Sequence, residues 1–290
     1  MGTSGAGLYE DDTAADLKAA IALVNKVPIS GERLLEILLD SHDIPKPRED
    51  DGTVFWLVVA DQFERRGIAC AEAAATALSV ISDGTDLERL RAHGLGDREL
   101  AQREEILQQL AQRLRAPRPV RPRVQPKNPP DFVVDVGEVY AFPTMRGKAA
   151  NAWFETWEQS RFVPDAWGAL LILERGRAYD WLPWCTVASL TTAPERVPSL
   201  ADALSAKLLL HSQTNGAAKC VPKRVHVKRM KMQLLGRVQV NSNKASRVVS
   251  HWTVEMAINC GWSIASAAFS TNVGPLPVGV AVSDLIDSGG

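Results

Sequence analysis

Residues 116–131 read A-P-R-P-V-R-P-R-V-Q-P-K-N-P-P-D and hold six of the chain's 17 prolines. Each proline fixes its own φ and pushes the residue before it out of the α region, so the stretch predicts a semi-rigid, polyproline-like spacer outside any core. The hydrophobic period changes across it, from about 3.6 residues upstream to about 2 downstream. The chain therefore reads as α+β in three parts: an acidic all-α bundle over 1–115, the spacer over 116–131, and a basic, mostly-β domain over 132–290.

Charge divides the same way. Residues 1–112 hold 21 Asp and Glu against 11 Lys and Arg, an excess of −10, and the remainder holds 13 against 22, an excess of +9, so the net −1 hides two opposite fields. Such fields favour docking of the halves or an acidic partner. With 290 residues, 46% of them hydrophobic, the chain is ordinary two-domain globular material. No apolar run approaches the roughly 18 residues of a membrane span, and the start lacks a signal-peptide pattern, so the expected location is the cytoplasm. Cys70, Cys185, Cys220 and Cys260 form no C-x-x-C pair; they read as buried free thiols, with no metal or cofactor expected.

The helical half opens M-G-T-S-G-A-G-L-Y-E-D-D-T-A-A-D. Gly2, Gly5 and Gly7 lack the spacing of a phosphate-binding loop. This opening resembles that of a bacterial family, domain-of-unknown-function family 4259, on Met1, Gly2, Gly5, Gly7, Tyr9, Asp12, Ala15 and Asp16; Ser4 stands where the family has tryptophan. The resemblance implies a helical domain to about residue 115 and brings no activity with it.

Thr13-x-x-Asp16 predicts a capping box ahead of a helix with Leu17, Ile21 and Val24 on one face. Further helices are expected from Glu32 to Ser41, from Thr53 to Arg66 with Phe55, Trp56, Val59 and Phe63 inward, from Cys70 to Ile81, and from Asp97 to Arg115. Asp61, Glu64, Arg65 and Arg66 have the spacing of a solvated helix face. Glu49, Asp50 and Asp51 lack the ligand spacing of a calcium loop.

In the second half, Phe132 to Phe142 predicts a strand that Pro143 ends, and Trp167 to Leu173 pairs with Tyr179 to Val187 across a turn at E-R-G-R. Ser199 to Leu210 reads as a helix, with strands resuming near Ala218. G-E-V-Y-A-F-P, followed by Arg146-Gly147-Lys148, resembles an early strand and turn of bacterial immunity protein family 26. That likeness implies a β-rich binding domain and identifies no functional residue.

Two features carry the functional expectation. Trp153, Trp157, Trp167, Trp181 and Trp184 crowd into 32 residues, with Trp252 and Trp262 later, which suits core, interface or base stacking. From Ala203 to Val254 there is no acidic residue, while ten Lys and Arg occur. Within that run Arg224, His226 and Lys228 alternate with valines, and Arg229, Lys231 and Gln233 with Met230, Met232 and Leu234. This predicts a bulged strand with its cations outward and its valines and methionines inward. Lys223, Arg224, Lys228, Arg229, Lys231 and Arg237 are the expected contact residues of a non-enzymatic binding protein, in its most specific form an immunity or antitoxin-like protein that occludes an acidic partner.

Two alternatives belong to other classes. A nucleic-acid-binding protein would use the same cations with exposed tryptophans. A hydrolase would draw on Cys185 with His211 or His226 as base, or on a pair from Glu155, Glu158 and Asp165; His251 and Glu255, four apart in a strand-like context, would not share a face.

Overall fold

The computed structural model describes residues 5–41, 46–116, 127–152, 154–191, 195–211, 216–259, 261–268 and 280–286. The core of the proline spacer (117–126), Gly2, Trp153 and Cys260 lie outside them. The chain is a two-domain α+β protein made of two compact units, 1–127 and 128–290, with twelve helices and seven strands among the described residues.

The first unit is helical: α1 (Asp12–Val24), α2 (Gly31–Ser41), α3 (Asp50–Arg66), α4 (Ala71–Ser82), α5 (Thr85–Ala92) and α6 (Asp97–Arg115). The cap of α1 is Asp11, whose carboxylate accepts from the Thr13 N–H at 2.9 Å, so the expected Thr13 box is displaced by two residues. Helix α3 is buried on nearly every side, and its apolar positions Phe55, Leu57, Val58 and Val59 form the centre of the unit.

Its polar residues are buried as well, which corrects the solvated face expected for Asp61 and Glu64. Asp61 is 0% exposed. It accepts from Tyr9 Oη, from Arg65 Nε at 2.7 Å and from an Arg113 guanidinium nitrogen at 2.5 Å, while the other Arg113 terminal nitrogen reaches Glu64 at 2.5 Å. Burial opposes the Asp61 charge, and the bonds from Tyr9, Arg113 and Arg65 outweigh it, holding the carboxyl below its usual range. A second ionic group joins Asp86, 0% exposed, to Arg103 at 2.7 Å and to Arg89 at 3.2 Å. Arg89 also reaches Asp50, and His93 reaches Asp50 at 3.0 Å, so the exposed Asp50 ties the start of α3 to α5 and its C-cap. Helix α5, which carries Asp86 and Arg89, went unmarked in the sequence because its pattern is mostly polar.

The second unit is built on an antiparallel sheet of β1 (Glu138–Met145), β2 (Lys148–Ala149), β3 (Ala166–Ala178), β4 (Leu182–Leu190), β5 (Leu208–Leu209), β6 (Ala218–Cys220) and β7 (Gln233–Arg237). The order is β2-β1-β3-β4-β5, with β6 also on β4 and β7 on β1. Both faces carry a core. Tyr140, Phe142, Leu170, Ile172, Cys185 and Val187 pack on one side, with Met230 and Ile264; Val139, Leu171, Leu173, Ala188 and Leu190 pack on the other, with Ala203, Val282 and Leu285. Two covered faces explain the unbroken A-L-L-I-L of β3. Short helices supply the covers: α7 (Leu200–Ser205), α8 (Arg224–Arg229), α9 (Ser242–Ala245), α10 (Val254–Asn259), α11 (Ile264–Ala267) and α12 (Val282–Leu285).

Several boundaries differ from expectation. Strand β1 starts at Glu138 and runs through Pro143, which pairs with Trp167. Pairing of β1 with β7 ends at Ala141 and pairing with β2 begins at Thr144, so the N–H that proline lacks falls in the gap between two partners. Strand β3 passes straight through E-R-G-R. Trp184 covers Gly176 so closely that a Cβ there would lie 2.7 Å from the indole, and the chain reverses instead at Tyr179 and Asp180, both left-handed with φ of 53° and 55°. The helix expected to reach Leu210 ends at Ser205, after which Leu208 and Leu209 join β4.

Candidate functional site

The first part of the expected basic strand is a helix, and extended structure begins only with β7 at Gln233. Residues Arg224–Arg229 form α8: Met230 is buried as expected, but His226, four residues before it, is buried where it was expected outward, and Val225 is exposed where it was expected inward. Packing decides this, because an i, i+4 pair offers one face to the core of Cys185, Val187 and Ile264, whereas the expected alternating strand would have turned His226 outward.

Helix α8 ends on an unusual residue. Lys231 adopts the left-handed conformation, φ 52°, where glycine is the common choice, and the Met232 N–H closes the turn on the Val227 carbonyl at 3.2 Å. This turn carries the Lys231 side chain over the ring of Trp157, with Nζ 3.7 Å from its centroid. The indole is fixed on two further sides. Its Nε1 donates to the Arg229 carbonyl at 2.7 Å, and Phe162 meets it edge-on at 5.1 Å.

A cleft lies on each side of the Trp157–Lys231 pair. The first, about 360 Å³, has Glu155, Thr156 and Glu158 on one wall and Val225, Lys228 and Arg229 on the other. The second, about 410 Å³, is lined by Pro143, Pro164, Asp165, Trp167, Glu195 and Gln233. The three carboxylates considered as an acid and base pair are thus divided between two open clefts. Asp165 spends both oxygens on the Arg146 N–H, at 2.9 and 3.0 Å. The Glu158 carboxyl is lowered by local hydrogen bonds to backbone and Thr156, with Lys231 adding attraction.

The six expected contact residues fall into two groups. Arg229 donates to the Ala152 carbonyl at 2.9 Å, Arg237 to Glu138 at 2.6 Å, and Arg224 lies 3.5 Å from Asp131. Glu138 is buried, and bonds from Tyr140, the Asp135 N–H and Arg237 overcome that burial to keep it charged, so Arg237 serves the sheet. Lys223 holds the N-cap position of α8 without a side-chain capping bond, and Lys228 and Lys231 are exposed on its cleft side. Exposed apolar groups stand close by: Val225 lines the first cleft, Phe154 precedes its wall, and Val163, 72% exposed, adjoins Pro164 in the second. The valine at 225 was expected in the core, and only the helical period would have placed it outside.

The catalytic expectations find no assembled centre. Cys185 is fully buried, with its Sγ 3.6 Å from Cys220 Sγ, so no substrate reaches it in this arrangement. His211 packs on Trp262 at 4.8 Å, and burial lowers its pKa. His226 lies on α8, its pKa lowered to about 4 by burial and by Lys223 and Arg229. His251 precedes α10 and Glu255 lies within it, where a strand had been expected. Among the described residues no group of three or more His, Cys, Asp or Glu converges as a metal site, and no helix is long and apolar enough to cross a membrane.

Comparison of the chain with known protein families, with characterised proteins and with solved structures finds no match.

Proposed function

We propose that the protein is a non-enzymatic binding protein whose C-terminal unit engages an acidic protein partner on the face formed by α8, Lys231 and Trp157, and that it acts by occluding that partner, as an immunity or antitoxin-like protein does. The observation that carries this reading is the mixture on one surface of exposed cations, Lys228 and Lys231, with a fixed indole and the exposed apolar Val225. Aromatic and apolar anchors ringed by charge are the composition of a protein interface, and cations of one sign raise the encounter rate with an acidic surface. The resemblance of G-E-V-Y-A-F-P to an immunity-protein strand is consistent with it.

Tryptophan usage favours a protein over a nucleic acid as the partner. Trp252 and Trp262 stack on each other at 4.7 Å, Trp181 is buried, and Lys231 covers Trp157, so these rings spend their faces within the chain.

The test is affinity capture of the full chain from its native cells, with and without nuclease, followed by Lys228→Glu and Lys231→Glu together. A stoichiometric protein that survives nuclease and binds the double variant at least about tenfold more weakly supports the reading. Unchanged affinity of the double variant, or a captured nucleic acid lost on nuclease treatment, overturns it.

A further inference from the structure

Cys185 and Cys220 stand opposite each other on adjacent strands. Strand β6 pairs antiparallel with β4 over Cys185↔Cys220, Thr186↔Lys219 and Val187↔Ala218, so the two cysteines are direct cross-strand partners. Both are free, both are 0% exposed, and both belong to the same core cluster, beside Ile172, Val187 and Ala218. Their sulfurs are 3.6 Å apart. A disulfide needs sulfurs about 2.0 Å apart and Cβ atoms about 3.5–4.5 Å apart, and directly opposed antiparallel residues hold their Cβ atoms about 4.5–5.5 Å apart, so closure asks only for a side-chain rotation and a small approach of β6.

We propose that Cys185 and Cys220 are an oxidisable pair that forms a cross-strand disulfide, with a low-molecular-weight disulfide such as oxidised glutathione as the oxidant. The thiolate of one cysteine attacks a sulfur of the small disulfide, forming a mixed disulfide and releasing one small thiolate. The thiolate of the second cysteine then attacks the protein sulfur of that mixed disulfide and releases the other. Two protein S–H bonds and one small S–S bond are lost, one protein S–S bond is gained, and the two protons leave on the two small thiols; the protein is oxidised by two electrons and the small disulfide reduced by two.

Reaction requires β6 to open. Burial and the Cys185 neighbour hold the Cys220 thiol well above its ordinary pKa, so the closed state is protonated and unreactive. The strand that must move is short, with three paired residues on β4. Oxidation would then fasten β6 to the sheet covalently. Lys219 of that strand holds the Ser250 and Trp252 carbonyls, the Val221 N–H bonds the Trp262 carbonyl, and α8 begins at Arg224, so a fixed β6 steadies the base of the proposed binding face. This rests on the disulfide alone and stands or falls independently of the proposed partner.

The experiment incubates the native full chain with oxidised and reduced glutathione at a series of ratios. The expected product loses about 2 Da and yields a peptide linking Cys185 to Cys220, with backbone hydrogen exchange at Ala218–Cys220 slowed at least about tenfold. The Cys185→Ser and Cys220→Ser variants should each stop at a mixed disulfide or remain unmodified. Four free thiols in the native chain at every ratio, closure only in denaturant, or a linked peptide containing Cys70 or Cys260 in place of either cysteine would overturn the proposal.

Discussion

Asp86 and Arg103 meet at 2.7 Å, 0% and 3% exposed, and neither charge has water to fall back on. Removing one partner strands the other, so Asp86→Ala should destabilise the helical unit by about 3–5 kcal/mol in urea titrations. Replacing the pair by Leu and Met should cost much less, because the desolvation penalty of both ions goes with them. His226 gives a second test at this scale. Its folded pKa, about 4, lies below the ordinary 6.5, so between those values the unfolded chain binds a proton that the folded chain refuses. The stability gained by burying the neutral ring is therefore complete above about pH 6.5 and falls as pH drops towards 4, by on the order of 3 kcal/mol. His226→Leu should flatten this acid limb when urea midpoints of both proteins are compared between about pH 7 and pH 5; an unchanged slope would show that His226 does not carry it.

At the scale of elements, Gly137 shows how one backbone position sets a strand edge. It lies at φ +83°, its N–H donates to the Ile172 carbonyl, and its carbonyl accepts from Val238, so it stands between β3 and the chain leaving β7. A Cβ at that position would lie 2.0 Å from the Val238 oxygen. Gly147 shares a left-handed φ, +75°, with nothing within 4 Å. Gly147→Ala should cost about 1 kcal/mol for the backbone alone, and Gly137→Ala clearly more, about 2–4 kcal/mol, in thermal unfolding. Equal costs would mean that the Val238 contact yields freely. The same elements explain what the sequence made legible. Long helices with clear apolar faces, α2, α3 and α6, were readable from residues such as Leu34, Phe55 and Leu110, because period and length agreed. Helix α5 was hidden by its charges, and Asp61 looked solvated because a partner 52 residues away in sequence cannot be inferred from local spacing. At the candidate site the cations were found and their secondary structure was not. Six residues with alternating valines satisfy a strand template, and only packing against α11 selects the helix that buries His226 and exposes Val225.

Across the whole molecule, the opposed charges take on a different meaning once the two units are counted by their own boundaries. Unit 1–127 holds 21 acidic against 17 basic residues, an excess of −4, and unit 128–290 holds 13 against 16, an excess of +3. The larger asymmetry comes from 113–127, where Arg113, Arg115, Arg118, Arg121, Arg123 and Lys127 occur without one acidic residue. Arg113 is committed to Asp61 and Glu64, so the cations of the spacer make up much of the positive field that precedes the C-terminal unit in the chain. A field of that kind acts on encounter more than on the finished complex, since it attracts an acidic partner from a distance of about a Debye length while short-range contacts set dissociation. Changing Arg118, Arg121 and Arg123 together to Gln in the full chain should therefore lower the association rate for the proposed acidic partner several-fold at low salt and leave the dissociation rate nearly unchanged. Raising the ionic strength to about 0.5 M should abolish the difference. Lys228→Glu with Lys231→Glu should instead raise the dissociation rate, because those side chains stand at the clefts themselves. Stopped-flow association beside surface-based dissociation separates the two effects, and a spacer variant that dissociates faster without associating more slowly would place the spacer in the contact and remove it from the steering field.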